Sequence, residues 1–182
     1  MGNYKSKLHN IKAFAFDVDG VLTDGGVISL PDGDLFRTHY ARDGYAIRVA
    51  IEHGYPVAII TGGVSPSVEI RYRNLGVKDI FSGARDKLPA FREFCTKYNL
   101  SPSQVAYAGD DIPDIPPMKI CGLPFCPSDA ATEVRHMAQY ISPFPGGRGC
   151  VRDLVEQVMR LQGKWYKQTD DIPEDMLETS SE

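Results

Sequence analysis

Ile11-Lys12-Ala13-Phe14-Ala15-Phe16-Asp17-Val18-Asp19-Gly20-Val21-Leu22-Thr23 decides the fold. The apolar run from Ile11 to Phe16 reads as a short buried strand. Two carboxylates follow one residue apart, and then Gly20. Side chains alternate faces along a strand, so Asp17 and Asp19 can project together while Val18 packs on the other side. Like charges that close repel unless a cation separates them. A hard divalent cation with oxygen ligands meets that need. The stretch therefore predicts a metal-dependent site at the C-terminal end of a strand.

Working outward, apolar strand patterns alternate with helical ones. Asp24-Gly25-Gly26 is a turn, and Pro31-Asp32-Gly33-Asp34 between Val27–Leu30 and Leu35–Tyr40 signals a β-hairpin. A two-stranded ribbon needs a second surface, so the hairpin either caps the site or pairs with another subunit. Asp43 is expected to cap a helix that His53-Gly54 closes. Pro56–Ile60 is a strand that ends at Thr61-Gly62-Gly63. Ser65-Pro66 opens a helix that stops at Leu75-Gly76. Ile80-Phe81 is a short strand, and Asp86 caps a helix running to about Lys97. Val105–Ala108 is a strand leading into Gly109-Asp110-Asp111. Pro113, Pro116 and Pro117 are expected to delay the next helix to near Met118. Leu123–Cys126 and Gln139–Ile141 are the last strands, with a helix at Ala130–Ala138 between them. Pro145-Gly146-Gly147-Arg148-Gly149 reads as a flexible loop before an amphipathic helix, Cys150–Gln162, with Val151, Leu154, Val155, Val158 and Leu161 on its apolar face.

This alternation predicts an α/β fold: a Rossmann-like three-layer sandwich with a mostly parallel sheet, a protruding β-hairpin and no separate cap domain. Residues 1–167 are expected to form one domain, and 168–182 a disordered acidic tail. The formal charge of -4 over 182 residues argues against nucleic-acid binding. No stretch reaches the roughly 20 apolar residues of a membrane span. Met1–Asn10 is polar and lacks the apolar core of a secretion signal, so the cytoplasm is the expected location. Cys95, Cys121, Cys126 and Cys150 form no C-x-x-C pair and read as reduced thiols.

In parallel sheets, ligands sit beyond the C-terminal strand ends. Three such ends carry polar residues here: Asp17/Asp19, Thr61 and Asp110/Asp111. Each alone has a plainer reading. An Asp-x-Asp pair is commonly a turn, and a lone lysine such as Lys87 is commonly a solvated helix residue. Found in order after their strands, they suit a phosphate ester. Asp17 can attack phosphorus and form an aspartyl phosphate. Mg²⁺ held by Asp17, the Asp19 main-chain carbonyl and Asp110 would screen the anions. Asp19 would protonate the leaving oxygen and then deprotonate water. Thr61 offers a hydroxyl, the amides of Gly62 and Gly63 can approach a phosphate, and Lys87 supplies a fixed positive charge. Asp111 and Asp114 can orient the metal shell or Lys87.

These residues resemble the motifs of the haloacid dehalogenase-like phosphohydrolases. Asp17–Thr23 is similar to the first motif, Thr61-Gly62 to the second, Lys87 to the third and Gly109–Asp114 to the fourth. Arg42-Asp43-Gly44, Arg71, Asp86-Lys87-Leu88 and Gly146-Gly147-Arg148-Gly149 resemble the capless 3-deoxy-D-manno-octulosonate 8-phosphate phosphatase subfamily. That resemblance implies a homotetramer with shared active sites, acting in lipopolysaccharide precursor synthesis on a phosphorylated sugar acid. It implies substrate contacts from Asp19, Tyr40, Ala41, Arg42, Asp43, Gly44, Arg48, Gly62, Gly63, Arg71 and Lys87. Gly63 and Tyr40 depart from the subfamily pattern, where arginine and asparagine are common. The alternatives are a phosphatase of a nine-carbon 2-keto-3-deoxy sugar acid 9-phosphate and, in another class, a non-catalytic oligomerisation module.

Overall fold

A computed structural model describes residues 4–31 and 33–166. The tail expected at 168–182 lies outside the described residues. The strands are β1 (Ala13–Phe16), β2 (Ile28–Ser29), β3 (Leu35–Phe36), β4 (Val57–Ile60), β5 (Asp79–Phe81), β6 (Val105–Ala108), β7 (Leu123–Cys126) and β8 (Tyr140–Ile141). The helices are α1 (Lys5–Leu8), α2 (Ala41–Glu52), α3 (Pro66–Asn74), α4 (Lys87–Lys97), α5 (Ile115–Met118), α6 (Thr132–Met137) and α7 (Cys150–Leu161).

Six strands form one parallel sheet in the order β5-β4-β1-β6-β7-β8. The chain leaves β1 toward β4 and β5, then returns to build β6, β7 and β8 on the other side. β1 is thus the switch point, where an α/β sheet opens a crevice beyond its strand ends. Alternation along β1 divides the core. Phe14 and Phe16 join the apolar residues of α2, α3 and α7. Ala13 and Ala15 join Phe91 and Phe94 of α4, Met118 of α5 and Val134 of α6. Strands buried on both faces read as continuous apolar runs, as these do. The expected three layers are therefore present, and no cap-sized insertion occurs among the described residues.

The hairpin is shorter than its sequence suggests. Among the described residues only Ile28–Ser29 and Leu35–Phe36 pair, antiparallel. Ile28 and Phe36 are exposed, and the ribbon is tied down at its base. Ser65 stands at the N-cap of α3, but its hydroxyl bonds Asp34 Oδ1 (3.2 Å) and Ser67 Oγ (3.0 Å), not the helix amides.

Four local expectations are corrected. Asp43 lies inside the first turn of α2, which Tyr40 precedes. Its buried carboxylate instead accepts from the amides of Gly149 (3.1 Å) and Arg152 (2.7 Å), so it caps α7 across the interface between the two helices. The proline-rich helix α5 ends at Met118 and does not start there, because Pro116 and Pro117 occupy its first turn, where no amide donor is needed. The Pro145–Gly149 loop is held in place: Gly146 donates to Asp129 Oδ1 (2.9 Å) and Gly147 to the Val21 carbonyl (2.9 Å). Leu161 is exposed at the end of α7. The next residue, Gln162, turns inward and its amide donates to the carbonyls of Leu8 and Ile11, both at 2.8 Å.

Candidate active site

Beyond the ends of β1, β4 and β6 lies a cavity of about 420 Å³. Asp17, Asp19, Thr61, Gly62, Gly63, Lys87, Asp110, Asp111 and Asp114 line it, with Gly25, Ala84, Arg85 and Pro113. Sequence order thus becomes one surface. β1 stops at Phe16, and the Asp17 amide still bonds the Ala108 carbonyl (3.0 Å), which extends the ladder to Asp17. The backbone then leaves the sheet in a wide turn over Val18–Leu22, with Gly20 at φ +85°. A Cβ on Gly20 would lie 2.0 Å from Asp110 Oδ2, so glycine is required both for the left-handed turn and to let that carboxylate in. Val18 packs in the core while Asp17 and Asp19 face the cavity.

Lys87 organises the charges. It is the first residue of α4, after the Asp86 cap, and is buried. Its Nζ lies 2.8 Å from Asp17 Oδ1 and 2.7 Å from Asp114 Oδ1. Asp114 is fully engaged: Tyr107 OH donates to Oδ1 (2.8 Å), and the amides of Asp110 and Asp111 reach Oδ2 (3.2 and 3.4 Å). Asp111 is exposed and accepts from the Ile112 amide (2.8 Å). Of the two acids expected to orient neighbours, Asp114 therefore holds Lys87, and Asp111 caps the turn that brings Asp114 back.

Carboxylate oxygens of Asp17, Asp110 and Asp114 all lie within 4.8 Å of one another. Burial raises the pKa of Asp17 well above the carboxylate range, Asp114 adds to the rise, and Lys87 opposes it. Burial and Asp114 push Asp110 up to about 7, against Lys87. Burial disfavours the Lys87 ammonium, but Asp17 and Asp114 outweigh it and hold its pKa above the ordinary value. One lysine thus faces three clustered acids, a deficit of positive charge that suits a hard cation. Because Asp114 already accepts four hydrogen bonds, Asp17 and Asp110 are the side chains best able to act as ligands.

A stability test follows from Asp110. Its folded pKa of about 7 exceeds the usual carboxylate value, so the folded state retains a proton that the unfolded state releases. Without a divalent cation, this group's contribution to stability should fall as pH rises from about 4 to about 7. A bound cation competes with that proton. MgCl₂ should therefore raise the melting temperature more at pH 8 than at pH 5, as measured by calorimetry. An equal rise at both pH values would contradict the assignment.

Asp19 is held differently. Its carboxylate receives a two-pronged contact from Arg37, Nε to Oδ1 at 2.6 Å and Nη2 to Oδ2 at 3.0 Å. Sequence reasoning missed Arg37. The signal was period two: Leu35, Arg37 and His39 share a face of the hairpin arm, and the first is partly covered while Arg37 is buried. It also missed Arg85, which lies at the cavity two residues before Lys87.

The remaining expected substrate contacts are not brought to this cavity within one chain. Tyr40 and Arg42 line a separate cavity of about 440 Å³ with Arg148, Gly149 and Arg152. Ala41 is exposed beside them at the start of α2. Both oxygens of Asp43 are occupied in capping α7. Arg48 is exposed, pairs with Glu52 at 3.6 Å and lies over the Tyr45 ring. Arg71 is half-buried against Gly44, where a Cβ would come within 2.8 Å of its Nη2.

Residues 65–149 match the family model of the haloacid dehalogenase-like hydrolases. A 3-deoxy-D-manno-octulosonate 8-phosphate phosphatase of Escherichia coli K12 is 38% identical over 159 residues, 87% of this chain and 85% of that protein. The chain belongs to the haloacid dehalogenase-like hydrolases. Family and relative together make this chain a phosphoric monoester hydrolase. The crystal structure of the Yersinia pestis phosphatase superposes with a TM-score of 0.86 at 36% identity, covering 88% of this chain and 87% of the other. That of the Moraxella catarrhalis phosphatase, described as a complex with magnesium, phosphate and a KDO molecule, gives 0.85 at 34% identity, covering 90% and 94%.

Proposed function

We propose that this hydrolase converts 3-deoxy-D-manno-octulosonate 8-phosphate to 3-deoxy-D-manno-octulosonate and phosphate, in a Mg²⁺-dependent reaction through an aspartyl phosphate on Asp17. The observation that carries the reading is the Asp17–Lys87–Asp114 chain beside Asp110 at the switch point of the sheet. Asp17 and Asp110, with the Asp19 main-chain carbonyl, would hold Mg²⁺. The ion, when bound, neutralises charge on the phosphoryl oxygens.

The chain's own residues carry the steps. Lys87 fixes Asp17 Oδ1 and so orients the carboxylate toward phosphorus. Asp17 attacks, the phosphorus–oxygen bond to the sugar breaks, and Asp19 gives a proton to the leaving oxygen. Asp19 then takes a proton from water as the water displaces Asp17 from phosphorus. Thr61 and the amides of Gly62 and Gly63 bind the phosphoryl oxygens. Asp114 keeps Lys87 in position, and Asp111 keeps the Ile112 turn closed.

The sugar-acid contacts expected of Tyr40, Ala41, Arg42, Asp43, Gly44, Arg48 and Arg71 suit a site shared between subunits of a homotetramer, since most lie away from this chain's own carboxylates. Asp43 would serve by fixing Gly149 and Arg152. The same reading assigns the enzyme to the cytoplasm and to the supply of a lipopolysaccharide sugar. No described helix is long and apolar enough to cross a membrane.

Steady-state comparison of eight-carbon and nine-carbon sugar-acid phosphates with Mg²⁺ tests the substrate. The reading expects kcat/KM at least about tenfold higher for the eight-carbon compound, roughly the net worth of one hydrogen bond. Preference for the nine-carbon compound would overturn it.

A further inference from the structure

The Arg37–Asp19 contact is not explained by phosphate chemistry alone. Arg37 does not line the carboxylate cavity. Its side chain is only 3% exposed, against 35% for Asp19. It sits behind Asp19, in a small space lined by Val18, Thr61, Gly63, Ser65, Val68 and Ser82. Its third nitrogen donates to the Leu35 carbonyl (2.9 Å), so the fork is braced by the hairpin strand that carries it. The base of the same hairpin is pinned to α3 through Asp34 and Ser65. A half-buried ion pair of this kind adds little stability, whereas its forked contact fixes geometry closely.

Gly63 completes the picture. Its φ is not positive, so the backbone does not demand glycine. A Cβ there would lie 3.4 Å from Arg37 Nη2 and 3.8 Å from both Asp19 Oδ2 and Thr61 Oγ1. Any side chain at position 63 would therefore begin in contact with the Arg37–Asp19 pair.

We propose that Arg37 is the positioning residue of Asp19: the β2–β3 hairpin delivers a guanidinium that sets the direction of that carboxylate, and position 63 borders the pair. The inference rests on the proton-transfer role proposed for Asp19. It makes the hairpin part of the catalytic frame, so that its seat on α3 governs how Asp19 meets the leaving oxygen.

The test uses Arg37→Ala, Arg37→Lys, and Gly63→Arg in both the natural and the Arg37→Ala backgrounds. Kinetics are measured on the octulosonate phosphate, and crystal structures of the natural enzyme and the alanine variant are solved. Arg37→Ala should lower kcat by about tenfold or more while KM changes by less than about threefold, since proton transfer is impaired and binding is not. Guanidinium ion in solution or Gly63→Arg should restore part of the loss. Gly63→Arg alone should lower kcat, because a second guanidinium crowds the pair. Arg37→Lys, which keeps the charge without the fork, should fall between. The Asp19 carboxylate should shift by about 1 Å or more in the alanine variant, a displacement large enough to slow catalysis. Unchanged kcat, or a raised KM at unchanged kcat, would overturn the proposal. If the alanine variant does not fold, Arg37→Lys decides: full kcat at an unchanged melting temperature overturns it, and reduced kcat supports it. Absence of turnover by the natural enzyme would sink the functional reading instead, and the crystallographic comparison would still decide whether Arg37 places Asp19.

Discussion

Replacing Asp17 with asparagine is expected to reduce phosphate release by on the order of 10⁴-fold or more while leaving the protein folded. Asparagine keeps the shape of the side chain and loses the nucleophilic oxygen. The fold should tolerate it for an electrostatic reason. Asp17 is buried, and burial together with Asp114 already disfavours its charge. Removing that charge relieves repulsion, and Lys87 keeps its 2.7 Å contact to Asp114. The melting temperature should therefore stay level or rise. Phosphate release by the purified variant, measured beside its thermal melt, separates the two effects. Retained turnover would remove Asp17 as nucleophile.

The converse substitution, Lys87→Met, should damage both activity and stability. Methionine fills much of the space but leaves Asp17 and Asp114 facing each other without their shared cation. Removing one partner of a buried charge cluster costs about 3–5 kcal/mol. In a chain of this size that lowers the melting temperature by roughly 10 °C. Turnover should fall by at least about 10²-fold, as when one electrostatic donor is removed from an active site. The pH dependence has a definite sign. The raised pKa of Asp17 loses its opposing lysine and rises further, so the variant gains protons, and stability, as pH falls. The gap in melting temperature between the two proteins should thus narrow as pH falls. A constant gap would mean that Lys87 acts through packing alone.

Much of this architecture is legible in the sequence because parallel strands buried on both faces leave unbroken apolar runs. Ala13–Phe16, Val57–Ile60, Val105–Ala108 and Leu123–Cys126 stand out for that reason. The polar residues just beyond such runs are carried to the same edge of the sheet, so Asp17, Thr61 and Asp110 are grouped by sequence alone. What escaped the sequence is decided across space. Asp43 looks like the cap of its own helix, and only the packing of α2 on α7 directs it to Gly149 and Arg152. Leu161 continues the apolar stripe of α7, yet Gln162 takes the inward place through bonds to residues about 150 positions away in the chain. Arg37 lies in a stretch with too few paired residues to show a strong alternation, and its partner is 18 residues earlier. The candidate substrate arginines are grouped by resemblance, and in a single chain Arg42 lines the second cavity while Arg48 and Arg71 line neither it nor the carboxylate cavity.

The central claim is that the carboxylate cluster beside Lys87 hydrolyses a sugar-acid phosphate with a divalent cation. Steady-state phosphate release from 3-deoxy-D-manno-octulosonate 8-phosphate, assayed with MgCl₂, after chelation, and after MgCl₂ is returned, tests it most directly. The account predicts turnover with the ion, loss on chelation and recovery when the ion is restored. No turnover with MgCl₂, or turnover undiminished by chelation, would contradict it.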